Sequence, residues 1–130
     1  MSTSSRKTAV SARLRVLKTK WFSKAAKKQG ITDADLCEAA KELEKGQGDD
    51  LGGGVWKKRL LENRSRGLVL VQGPHCWLFT VLFAKADQAN ISDKDLRVLQ
   101  KAAAEVAGYT VDEVVKLVKD KTWLEVTCGN

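Results

Sequence analysis

Apolar residues along this chain recur at two spacings, and the switches between them lay out an order of elements. From Arg13 to Lys18, Leu14 and Val16 alternate unevenly with charged neighbours, which predicts a first strand at or near a sheet edge. Trp21 and Phe22 then open a helical spacing that runs through Ala25 and Ala26 to Gln29, and Gly30 supplies the left-handed residue that ends helices at low cost. Thr32 caps a second helix, in which Leu36, Ala39, Ala40 and Leu43 follow the i, i+3, i+4, i+7 rule before Gly46 stops it. Two such consecutive helices predict a packed hairpin. Gly48 to Gly54, rich in Gly and Asp, predicts a loop.

The middle of the chain returns to strand spacing. Val55–Leu61, Leu68–Gln72 and Cys76–Lys85 are strand candidates, the last two so continuous in Leu, Val, Phe and Trp that they belong at the sheet centre. Gln72-Gly73-Pro74-His75 carries hairpin chemistry, and connections this short predict an antiparallel meander. Ser92 with Asp95, then Thr110 with Glu113, mark the starts of two more helices, the first striped by Leu96, Leu99, Ala103 and Val106 and ended by Gly108. Trp123–Val126 forms a short strand or packs down. The fold class is therefore α+β, a small antiparallel β-sheet packed against an N-terminal helical hairpin, with C-terminal helices. Residues 1–12 are too poor in apolar surface to order themselves and read as a flexible basic leader, leaving 13–130 as a single domain.

Composition adds a partner to this outline. The net charge of +7 is unevenly spread: residues 1–30 hold nine Lys/Arg and no acid, residues 31–50 two against seven acids, and residues 51–92 six against two. A basic sheet region without an acidic cluster suits a polyanion, and nucleic-acid backbone is the commonest one. No apolar run approaches the ~20 residues that span a bilayer, so no membrane partner is expected. Cys37, Cys76 and Cys128 are odd in number and far apart, with His75 the single imidazole; reduced thiols in a cytoplasm, with no metal site and no cofactor, are the simplest reading.

Alternation on the strand opening at Val55 places Lys57 and Arg59 on one face with Val55 and Leu61, and turns Trp56, Lys58 and Leu60 to the other. Two cations ~7 Å apart along a strand match adjacent phosphate contacts, although a solvated sheet face reads the same way. Arg64 and Arg66 lie in the turn to the next strand, and Lys85 ends the most apolar one. Lys18, Lys20, Lys24, Lys27 and Lys28 either add nonspecific attraction to nucleic acid or solvate an exposed helix face. The tryptophans Trp21, Trp56, Trp77 and Trp123 read as core, Trp56 least clearly. One turn histidine assembles no Ser-His-Asp or Cys-His set, and Gly52-Gly53-Gly54 does not fit the phosphate-binding G-x-x-x-x-G-K-[ST] loop. Those glycines instead permit positive φ or close backbone approach.

Three segments carry a resemblance: Lys18-Thr-Lys-Trp-Phe22, Leu51-Gly-Gly-Gly-Val-Trp-Lys-Lys-Arg-Leu60 and Phe83-Ala-Lys-Ala-Asp-Gln-Ala-Asn-Ile-Ser92. They resemble RelE-type toxins of bacterial type II toxin–antitoxin systems, in a phage-derived branch, over roughly Val16 to Val126. The resemblance implies a RelE-like domain with metal-independent endoribonuclease action on mRNA in the ribosomal A site. It also implies rRNA contacts, inhibition of translation, and a cognate antitoxin as protein partner. Carried over by position, Lys57, Arg59, Arg66 and Lys85 are the catalytic residues, and Lys58, Arg64 and Asn90 are RNA-binding. The branch's Asn-Glu-Arg is replaced here by Ala86-Asp87-Gln88. A gyrase-inhibiting, ParE-like toxin and a noncatalytic RNA-binding protein are the alternatives that the same fold allows.

Overall fold

The first strand and the first helix share a junction at Thr19. In the computed structural model, which describes residues 15–60, 67–83 and 91–128, β1 (Arg15–Thr19) runs straight into α1 (Lys20–Gln29). The Thr19 hydroxyl accepts the Phe22 N–H, satisfying one of the donors a helix start leaves unpaired. Gly30, at φ 73°, ends the helix and donates to the carbonyls of Ala26 and Lys27. α2 (Asp33–Glu44) starts at a reciprocal capping box between Thr32 and Asp35. Strands β2 (Asp49–Gly52), β3 (Val55–Arg59), β4 (Gly67–Gln72) and β5 (Cys76–Phe83) follow. Ser92 caps α3 (Asp93–Ala107), a Thr110–Glu113 box caps α4 (Val111–Lys119), and β6 (Trp123–Glu125) closes the series.

These strands form one six-stranded sheet in the order β2-β3-β4-β5-β1-β6. β3 through β5 are the expected antiparallel meander, β2 extends it antiparallel at the edge, and β4 and β5 hold the centre of the sheet. The expectation of a small, wholly antiparallel sheet is corrected by β1, which pairs in parallel with β5 and antiparallel with β6. Short connections reveal neighbours in sequence; β1 reaches β5 only across the intervening helices and strands, a pairing that local spacing does not encode. A second correction concerns Gly48 to Gly54: Asp49–Gly52 is an edge strand, joined to β3 by a turn in which Gly52, Gly53 and Gly54 all have positive φ.

Helices cover both faces. On one, Phe22 and Ala26 of α1 and Leu36 and Leu43 of α2 pack with Leu68, Leu70, Trp77 and Phe79. On the other, Ala103 and Val106 of α3 and Val114 of α4 pack with Leu17, Val55, Val69, Val71 and Leu78. The apolar continuity of β4 and β5 follows from this, since helices cover most of both faces of those strands.

The reading of three reduced thiols is also corrected. Cys37 on α2 and Cys128 form a disulfide, while Cys76 is a buried free thiol. Beside the disulfide, Asp33 accepts the Thr127 N–H at 2.9 Å and the Lys18 ammonium at 3.0 Å, so the segment after β6 is fastened to α2 twice. No helix among the described residues is long and apolar enough to cross a membrane. The leader, residues 1–12, lies outside the described residues.

Candidate nucleic-acid interface on the central sheet

β3 sorts its charges by face. Val55 is buried under α3, so Lys57 and Arg59, two and four residues on, emerge on the same side, with Lys57 half-buried and Arg59 exposed. In the register Lys57 stands opposite Val69 on β4 and Asp49 on β2, and Arg59 stands opposite Gly67, which in turn faces Phe83 on β5. Lys58 points to the other side. There its ammonium meets the Glu42 carboxylate of α2 at 2.8 Å, with the two side chains only 10% and 13% exposed. The ion pairs among the described residues engage Arg15, Lys18 and Lys58, and neither Lys57 nor Arg59 takes part in one. Two cations in no ion pair among the described residues, with Asp49 the residue across from Lys57, thus share one side of a strand whose reverse side is pinned down.

Several contacts hold that strand in place. The Trp56 indole donates to the Gln72 side chain at 3.1 Å and meets the Trp77 ring edge-on at 5.9 Å, so Trp56 is a half-buried brace against the core. At the end of β3 nearest α3, the Gln100 amide donates to the Gly52 carbonyl at 3.2 Å and reaches the Leu51 carbonyl at 3.4 Å. A Cβ on Gly53 would sit 2.9 Å from Gln100 Cγ, so α3 docks on the turn only because glycine is there. One strand over, the register slips between Val69 and Leu70, and Thr80 is the extra residue on β5, its hydroxyl donating to the Val69 carbonyl at 2.9 Å. Bulges re-aim side chains and are frequent beside functional sites; this one keeps Val81 and Phe83 on the side of Lys57 and Arg59.

The same face opens past Val69 into an apolar groove of about 340 Å³ between β4, β5 and α3, lined by Val81, Phe83, Ile91, Val98 and Leu99, with Asp95 as a charged member. Val98 is 61% exposed despite its apolar side chain. Sequence spacing missed this groove, because the stripe Leu96, Leu99, Ala103, Val106 had assigned the buried face of α3 and left Val98 on the solvent side.

Of the remaining residues singled out in the sequence, Arg64, Arg66, Lys85 and Asn90 lie outside the described residues. Gly67 follows Arg66, and Phe83 precedes Lys85 by two residues, so the described strands end in the row that contains Arg59. Among the described residues no three His, Cys, Asp or Glu side chains group as metal ligands. Tyr109, between α3 and α4, packs at a 60° tilt against Trp123 at 5.9 Å on the α4 side of the molecule. Trp21, expected in the core, is instead 56% exposed.

A protein-family model described as the RelE toxin of the RelE / RelB toxin-antitoxin system matches residues 14–126. No match was found among curated proteins or among solved structures.

Proposed function

Because the chain belongs to the RelE toxin family, we propose that it is a ribosome-dependent mRNA endoribonuclease that halts translation and is silenced by a cognate antitoxin in the cytoplasm. The observation that carries this reading is the pair Lys57 and Arg59, adjacent on one sheet face, in no ion pair among the described residues, and next to an apolar groove. Cleavage of this class needs the ribose 2′-hydroxyl to attack the adjacent phosphorus, forming the 2′,3′-cyclic phosphate and expelling the 5′-oxygen. Charge gathers on the phosphoryl oxygens as the fifth bond forms, so fixed cations stabilise the transition state more than the ground state.

In this scheme the guanidinium of Arg59 and the ammonium of Lys57 contact the scissile phosphate, the proton of the attacking 2′-hydroxyl passes to solvent water, Arg66 adds a fixed positive charge, Lys85 gives a proton to the leaving 5′-oxygen and regains one from water, and Arg64 and Asn90 contact flanking RNA. The groove walls receive a neighbouring base by apolar contact. Lys58, paired to Glu42, serves by fixing the strand. The rate enhancement asked of each cation is about 10²–10³.

Lys57→Ala with Arg59→Ala is expected to lower cleavage by about 10³-fold or more and to abolish growth arrest on induction, with an unchanged far-ultraviolet spectrum. Mapping of 5′ ends on translated mRNA checks it: codon-phased cuts that vanish in the variant support the nuclease. Undiminished arrest by the folded double variant rejects these residues, and blocked DNA supercoiling with intact transcripts assigns the gyrase-inhibiting reading instead.

A further inference from the structure

Helix α1 buries Phe22 and Ala26 against the sheet and leaves Lys20, Trp21, Lys24, Lys27 and Lys28 exposed. Positions 21, 24 and 28, and likewise 20, 24 and 27, fall on one helix face, so the tryptophan lies within a continuous lysine stripe. Two features of the stripe are not explained by helix stability. First, the lysines at the end of α1 complement its dipole, but Lys20 occupies its first turn, where a cation is unfavourable and where α2, α3 and α4 each carry two acids. Second, Trp21 keeps 56% of its surface in water, whereas Trp77 and Trp123 are buried at 2% and 9%. An exposed indole ringed by ammonium groups has the composition of a nucleic-acid stacking platform, in which the ring takes a base and the cations take the backbone.

Nearby acids do not cancel the stripe. Asp33 is engaged by Lys18, and Asp120, which accepts from Thr122, offsets part of the Lys20 charge and forms no ion pair with Lys24, Lys27 or Lys28 among the described residues. Phe22 and Ala26 belong to the core cluster on the Trp56 side of the sheet, so α1 lies behind the face that bears Lys57 and Arg59. We propose that the exposed face of α1 is a second RNA-binding surface, in which Trp21 stacks on an unpaired base while Lys20, Lys24, Lys27 and Lys28 hold the flanking phosphates. The choice of RNA among single-stranded nucleic acids rests on the endoribonuclease reading; the stacking surface itself does not.

The test uses the full chain carrying Lys57→Ala and Arg59→Ala, so that binding through the opposite face is suppressed. The probe is a fluorescein-labelled 2′-O-methyl oligoadenylate, which cannot be cut by 2′-hydroxyl attack. Trp21→Ala is expected to weaken anisotropy-detected binding by roughly 5- to 150-fold, the range found for loss of one stacked base, with Trp21→Phe restoring part of it. Lys24→Ala with Lys28→Ala is expected to reduce the slope of log affinity against log salt by about 1.4. Binding by Trp21→Ala and by the lysine variant at parental strength and parental salt slope overturns the proposal. So does Trp21-dependent capture by anionic lipid vesicles with oligonucleotide binding unchanged, which assigns the face to a membrane surface. Trp21-dependent binding, together with a parent chain that retains Lys57 and Arg59 and still cuts no translated mRNA, retires the nuclease reading and leaves this surface standing.

Discussion

Neutralisation by a neighbour separates the cations of β3 more sharply than exposure does. Lys58 has Glu42 at 2.8 Å and Lys57 has no ion pair among the described residues, although the two are consecutive. Period-two alternation alone divides Lys57 and Arg59 from Lys58, and that division was legible in the sequence. The partner of Lys58 was not, because Glu42 belongs to a helix that packs on the far face of the sheet. Asp33 shows the same dependence on distant partners. Burial by itself would raise its pKa, but the Thr127 N–H and the Lys18 ammonium outweigh that and hold the carboxyl below its ordinary 3.8. A carboxyl with a depressed folded-state pKa contributes stability above its unfolded value and loses it as pH falls through the folded one. Asp33→Asn is therefore expected to be less stable by about 1 kcal/mol near neutrality, a charged hydrogen bond discounted for partial exposure. Denaturant midpoints measured down to strong acid check it: the gap between variant and parent should close below 3.8.

Among elements, the β2–β3 hairpin and its seat on α3 decide how firmly Lys57 and Arg59 are presented. Gly53 has φ 63° and no room for a Cβ against Gln100, whereas Gly30 has φ 73° with open space around it. Gly30→Ala should cost about 1 kcal/mol for the left-handed backbone alone. Gly53→Ala should cost about 2–3 kcal/mol, since the side chain also pushes α3 away. Thermal melts of the two variants isolate the packing term, and equal losses would show that Gln100 yields freely. Caps and stops were the readable part of the fold: Thr32, Ser92, Thr110, Gly30 and Gly108 all sit at helix boundaries. β2 was unreadable because its glycines and aspartates carry loop chemistry, and only pairing with β3 makes it a strand. Trp21 was misjudged for a related reason. Helical spacing says which residues share a face, and Phe22 rather than its neighbour took the core.

For the whole molecule the disulfide sets the largest single dependence on conditions. Cys37 and Cys128 are 91 residues apart in sequence, and closing a loop of that order is worth about 2–5 kcal/mol through the unfolded state. Dithiothreitol is expected to lower the melting temperature by about 5–15 °C, and to leave Cys37→Ser, already without the bond, unmoved. Iodoacetamide at mildly alkaline pH should then label Cys128 and spare Cys76, whose thiol burial pushes up to about 11. Early labelling of Cys76 would show that the sheet opens on reduction. The topology has a consequence for synthesis as well. Among the described residues β1 has β5 and β6 as its only neighbours, so Arg15 waits for Cys76 and Thr19 for Trp123. A nascent chain cannot complete both pairings of its first strand until Trp123 has been made, and at ~5–20 residues per second the stretch from Thr19 to Trp123 takes about 5–20 seconds. Under the proposed function, the toxin fold is thereby completed late, after most of its chain has been made.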